Sequence, residues 1–170
     1  LRMLPPFLCL APQGHHADTL APLVAALEAL GLRAFAIDTL DAHGLPLPPE
    51  DAEARVRLAL VELDQRCELL PWGNALTLAL KVSESAAPYL TGLSVIAGEG
   101  QALWSQKALP LAYLVLEEAS LTASDRQRAV AETLEADPVV TLNLGAEPLV
   151  TAAHHLADAL LGIATTRSPA

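Results

Sequence analysis

Aromatic residues are scarce: two Trp, two Tyr and two Phe in 170 residues. Platforms that stack bases or sugars are built from such side chains, so that class of binding is disfavoured. Positive charge is scarce as well. Ten Lys and Arg face 20 Asp and Glu, for a net charge of −10. Nucleic acids and anionic membranes are held by neutralising phosphates with Lys and Arg, which argues against both as partners. Cys9 and Cys67 are the two cysteines, each in an apolar strand-like run, and there is no Cys-x-x-Cys pair. Buried free thiols are expected rather than a bridge. No stretch of about 18 or more residues stays apolar, so no spanning helix is expected. The first residues, Leu-Arg-Met-Leu-Pro-Pro, lack the basic start and long apolar core of a secretory leader. The expected location is cytoplasmic. Gly-x-Gly-x-x-Gly and Gly-Lys-Ser/Thr loops are missing, and with them the usual dinucleotide and nucleoside-triphosphate turns. No Thr-rich flavin-phosphate loop or acidic phospho-acceptor cluster follows the first strand, and no cofactor is expected.

What is abundant is Leu (35) and Ala (32), within a hydrophobic content of 52%. The length favours a single domain over 1–170. A chain of this size buries most of its apolar surface without disulfides or a structural metal. Residues 7–11 form an apolar run of strand length, ended by Pro12-Gln13-Gly14. Leu20, Leu23, Val24, Leu27 and Leu30 then follow one face of a helical period. Asp18 or Thr19 caps this helix, Pro22 suits its first turn and Gly31 ends it. Residues 33–37 read as a second strand, closed by Asp38. A Pro-rich loop over 39–49 leads to a helix over 50–66. Residues 67–70 read as a third strand, followed by a tight turn at 71–74 and a short helix over 75–82. Residues 90–97 read as a fourth strand. The span 98–136 is expected to hold two helices. One, at 103–118, is strongly apolar, and the other opens on the capping-box pattern Ser124-Asp-Arg-Gln127. Residues 139–144 read as a fifth strand and 148–161 as a last helix.

Strand and helix alternate, and the strands are continuous apolar runs, as expected when both sheet faces are covered. This is an α/β fold, a doubly wound three-layer sandwich on a mostly parallel five-stranded sheet. Open parallel sheets place their sites beyond the carboxyl ends of the strands.

The segments at those ends resemble the α/β-hydrolase family in order and spacing, over about residues 5–162. Leu8-Cys-Leu-Ala-Pro-Gln-Gly14 resembles its strand and oxyanion loop. Phe35-Ala-Ile-Asp38, with the loop through His43-Gly44, resembles its apolar strand ending in Asp. Leu69-Leu-Pro71-Trp72-Gly73-Asn74-Ala75 sits where the Gly-x-Ser-x-Gly elbow belongs. Thr91-Gly-Leu-Ser-Val-Ile96 resembles the strand that follows. Pro138-Val-Val-Thr-Leu-Asn-Leu-Gly145-Ala-Glu147 resembles the strand and turn that carry the acid. The family sheet has eight strands, and losing the first two and the last leaves five in the order 2-1-3-4-5. The resemblance implies a minimal core of this kind, with 101–136 as a small helical cap insertion.

The departures are chemical. An elbow holds a nucleophile on a sharp strand-to-helix turn. By register that position is Gly73, flanked by Pro71 and Ala75, and a shift by one residue places Asn74 there. The acid position carries Glu147. The family's His lies beyond one more strand, and the reading above leaves none. His154 and His155, adjacent in the last helix, do not fill the role. Two of three triad members are missing, and a carboxylate alone activates nothing.

Other residues carry alternatives. Glu147, Asp38, His15, His16 and His43 are the candidates for a rebuilt hydrolytic site, with a loop His as base and water as nucleophile. They could instead meet around a metal, but no two have a recognised ligand spacing, and no metal is expected. Solvated loop histidines are the simpler reading. Gln13, Gly14 and Asn74 could present backbone N–H groups like an oxyanion hole, or be turn residues. Asp38 and Asp41 suit caps or turns. Trp72 and Trp104 fall near the mouth, where they could line a pocket or pack in the core. Glu84, Glu117 and Glu118 read as exposed helix faces. The expectation is therefore an α/β-hydrolase-like protein without a complete triad, non-catalytic, binding a small molecule or a protein partner. Its alternative is a divergent esterase with a rebuilt site. An unprotected edge strand at 139–144, or the cap helix, suggests a homodimer.

Overall fold

A computed structural model describes residues 3–100, 109–117, 121–144 and 149–167, and the side chains of all of these except 121–123. The chain runs β1 (Phe7–Leu10), α1 (Ala21–Ala29), β2 (Ala34–Ile37), α2 (Pro49–Leu63), β3 (Cys67–Pro71), α3 (Leu76–Ala86), β4 (Leu90–Ile96), β5 (Leu111–Glu117), α4 (Leu121–Thr133), β6 (Val139–Asn143) and α5 (Leu149–Arg167). Local chemistry sets several boundaries. Pro22 sits in the first turn of α1, where its missing N–H costs nothing. Gly31, at φ +81, ends that helix in the left-handed region glycine enters freely. Pro49 starts α2, and Glu50 and Asp51 in its first turn favour the positive end of the helix dipole.

The sheet has six parallel strands in the order β2-β1-β3-β4-β5-β6. This corrects the five-stranded expectation, and the extra strand is β5. The apolar helix expected at 103–118 is instead, over Leu111–Glu117, a strand between β4 and β6. Six of its seven residues are buried, so it shows no alternation. Such a run cannot be told from a buried helix by periodicity alone. The described part of the span 101–136 thus gives the sheet a strand and its crossover helix, α4. Residues 101–108 lie outside the described residues.

Helices cover both faces. Leu20, Leu23 and Leu27 pack with Leu156 and Leu160 of α5 on one side. Val56 and Leu60 of α2, Leu76 and Leu80 of α3, and Leu134 after α4 fill the other. Cys9 and Cys67 are buried free thiols, as the sequence suggests. Burial raises both to about 12; repulsion between the two thiols on ionisation adds to the rise at Cys9, and the Glu68 carboxylate adds to that at Cys67.

One charged pair is built into the amino-terminal end of the sheet. Glu68 of β3 is buried and ion-paired to Arg167, at the end of α5. Ser94 and Thr91 donate hydroxyl hydrogen bonds to the same carboxylate at 3.0 and 3.2 Å. Arg167 also donates to the Leu93 carbonyl at 2.9 Å. Gly92 leaves the space for this guanidinium, since a Cβ there would meet Arg167 Nη1 and the Pro110 carbonyl at 2.8 Å. Among the described residues, no helix is long and apolar enough to cross a membrane.

Candidate functional site

The carboxyl end of β3 turns sharply into α3. Trp72 is still extended, Gly73 stands at φ +59, and a 3-10 turn over Gly73–Ala75 enters the helix. A left-handed residue between strand and helix is the geometry that exposes a nucleophile at an elbow. Here the position is Gly73, which adopts that φ without strain. Space is not the reason for glycine, because a Cβ would meet only Pro12 carbons at 3.9 Å. The bend is fixed by backbone bonds from Trp72 N–H to Leu10 and from Glu99 N–H to the Gly73 carbonyl, both 3.1 Å.

The loop after β1 lies across the elbow. The Gln13 backbone N–H, a candidate oxyanion donor, points at Asn74 and donates to its Oδ1 at 2.7 Å. The Asn74 side chain therefore occupies this backbone donor. Gly14 follows at φ +82 as a turn residue.

A cleft of about 740 Å³ opens beside this contact, with Pro12, His15, Trp72, Gly73 and Asn74 on one side and Leu116, Arg126, Gln127 and Val130 on the other. Its floor is rigid. Gly98 has no room for a Cβ, which would lie 2.7 Å from Val95 and 2.9 Å from Leu76. The buried Tyr113 hydroxyl donates to the Gly98 carbonyl at 2.8 Å, and burial raises its pKa. Gln127 is buried and pairs with both backbone groups of Leu116, at 2.8 and 3.0 Å, which ties α4 to the end of β5.

Among the described histidines and acids proposed from sequence, Asp38 and His16 come together, while His15 and His43 join no such pair. His15 lines the cleft. Asp38 accepts from the Ala17 and Leu40 N–H groups at 2.8 and 3.3 Å, with Arg55 at 3.7 Å and His16 Nε2 at 3.9 Å. It ties the loops after β1 and β2 together. His16 Nδ1 accepts from the Asp18 N–H at 3.2 Å. His43 sits in a turn whose backbone is held by Asp41, at 2.8 Å to His43 N–H and 3.0 Å to Leu45 N–H. Among the described residues, no group of three His, Cys, Asp or Glu could hold a metal. Glu147, Glu118 and Trp104 lie outside the described residues. Sequence reasoning missed Glu117, which ends β5 and pairs with Arg128 at 2.7 Å rather than lying on a helix face. It also missed Gln127 as a buried tie. Reading 111–117 as a strand would have found both.

No family model and no curated protein matches the sequence. Solved structures do. Tomato methylketone synthase I in complex with 2-tridecanone superposes with a TM-score of 0.80 at 11% identity, covering 97% of this chain and 100% of that one. The fold is that of the α/β-hydrolases. An extracellular α/β-hydrolase from a Paenibacillus species gives 0.79 at 10% identity, over 95% and 100% of the two chains. The thioesterase domain from the curacin biosynthetic pathway gives 0.72 at 12%, over 93% and 91%.

Proposed function

We propose that this α/β-hydrolase-fold protein is a non-catalytic binder that takes a small molecule in the cleft at the strand ends. The observation that carries the reading is the elbow: glycine at the nucleophile position, and the Asn74 carboxamide on the Gln13 N–H. A covalent intermediate has nowhere to form, and an oxyanion would first have to displace Asn74.

The strand count supports the same reading. With six strands, the resemblance shifts by one element. The acid position falls at the end of β5, on Glu117, and Glu147 no longer holds it. The His position falls after β6, on Leu144-Gly-Ala-Glu-Pro148, which holds no histidine. Of the loop histidines, His15 alone lines the cleft. Among the described candidates for a rebuilt hydrolytic site, Asp38 and His16 lie 3.9 Å apart, but neither lines the cleft that His15 does.

Two measurements test this. Short-chain nitrophenyl esters are expected to show no turnover above buffer. Titrating small apolar and amphipathic compounds against Trp72 fluorescence, with Trp104 replaced by Phe, is expected to give a saturable change that His15→Ala weakens. Robust ester hydrolysis lost on mutating Glu117 or His15 would overturn the proposal. A second proposal concerns assembly. β6 is an edge strand, and Val139 on it is 47% exposed, so we infer a homodimer formed through this edge.

A further inference from the structure

A second cavity, of about 250 Å³, lies on the far side of the Gln13–Asn74 contact, between the loop after β2, α2 and α3. Its floor is apolar: Ala11, Leu47, Pro49, Ala52, Ala75 and Leu78 line it. It is larger than the ~150 Å³ engineered cavity that takes benzene, and below the ~300 Å³ at which drug-sized pockets begin. An occupant of fewer than about a dozen heavy atoms is implied by that range.

The cavity also presents two opposite charges, Glu53 from α2 and Lys81 from α3. They form no ion pair with each other. The Glu53 side chain is only 16% exposed, and its one partner among the described residues is Arg57, at 3.5 Å, the limit of a hydrogen bond. Among the described residues nothing accepts from the Lys81 ammonium. A mostly buried carboxylate with spare acceptor capacity and the exposed Lys81 ammonium, which has no acceptor among the described residues, therefore line one apolar pocket. Burying the Glu53 carboxylate with so little pairing is unfavourable, and a ligand cation relieves that penalty, while solvated Lys81 at the rim supplies the charge for an anionic end.

We propose that this cavity binds a small zwitterion with a short aliphatic body, the chemistry of an aliphatic α-amino acid. Its ammonium pairs with Glu53, its carboxylate with Lys81, and its side chain rests on Ala52, Ala75 and Leu78. No covalent step is involved, and the site is independent of the larger cleft.

The test uses three probes that share one body: leucine, 4-methylpentanoate, which lacks the amine, and 3-methylbutylamine, which lacks the carboxylate. Calorimetry or NMR titration of the full chain is expected to show leucine binding about tenfold or more tighter than either half-molecule. Glu53→Gln should reduce leucine to the affinity of the carboxylate probe. Lys81→Met should reduce it to that of the amine probe. Ala52→Phe should block all three. If that buried substitution prevents folding, Thr77→Trp, at an exposed lining position, serves instead. His15→Ala, in the larger cleft, should leave leucine binding unchanged, so failure here is distinguishable from failure of the binder reading above. Leucine that binds no tighter than its two halves, or that ignores Glu53→Gln and Lys81→Met, overturns the proposal.

Discussion

Gly73 holds a left-handed φ where β3 turns into α3. Gly73→Ser has room for its Cβ but must hold a left-handed φ of +59. A loss of about 1–2 kcal/mol in unfolding free energy is expected, with no ester turnover, because a serine without a histidine is not activated. Thermal melts and a nitrophenyl acetate assay check both halves. The buried thiols give a pH signature. Folded Cys9 and Cys67 keep their protons up to about 12, whereas the unfolded chain releases them from 9.0 upward. The folded state binds more protons in that window, so stability is full below 9.0 and falls as pH rises toward 12. The slope is about 1.4 kcal/mol per pH unit for each thiol. Urea midpoints measured at rising pH should drop more steeply than those of a Cys9→Ala/Cys67→Ala variant.

Among the elements, α5 is held by more than its apolar stripe. Arg167→Met leaves Glu68 charged and buried beside Ser94 and Thr91, and should cost about 3–5 kcal/mol. The double change with Glu68→Gln should cost less than Arg167→Met alone, since it removes the stranded charge. Equilibrium denaturation of the three variants reads this directly. Nothing in the sequence marks the pair, because the two residues are far apart and Glu68 sits in a strand that reads as purely structural. The neighbouring strands were legible. β1, β2, β3 and β4 are short apolar runs with Gly, Pro or Asp at their ends, and α1 carries a clean leucine face. β5 was not, since Leu-Ala-Tyr-Leu-Val-Leu is apolar throughout and shows no alternation, and Pro110 directly before it falls within the span expected to be helical. That one misreading removed a strand from the count. It also hid Gln127, whose partner is the backbone of Leu116. The tight turn at 71–74 between a strand and a short helix was legible. The contact between Gln13 and Asn74 was not, because it joins two loops through a side-chain oxygen.

At the level of the whole molecule, an acidic surface opposes the association that the β6 edge invites. Two copies each carrying −10 repel, so the dimer should tighten as salt screens them. Sedimentation at micromolar protein should show a dimer whose dissociation constant falls between low and physiological salt. Val139→Lys, at an exposed position, should give monomer with unchanged secondary structure, and monomer alone in the parent protein would sink the idea. The bond between Glu68 and Arg167 also bears on how the molecule is made, for it joins residues 99 positions apart. At ribosomal speeds the carboxylate is exposed roughly 5–20 s before its cation is synthesised. During that time Glu68 must remain hydrated, so the amino-terminal end of the sheet stays open. The chain can pair its early strands as they emerge, but it can seal its core only after its last helix arrives.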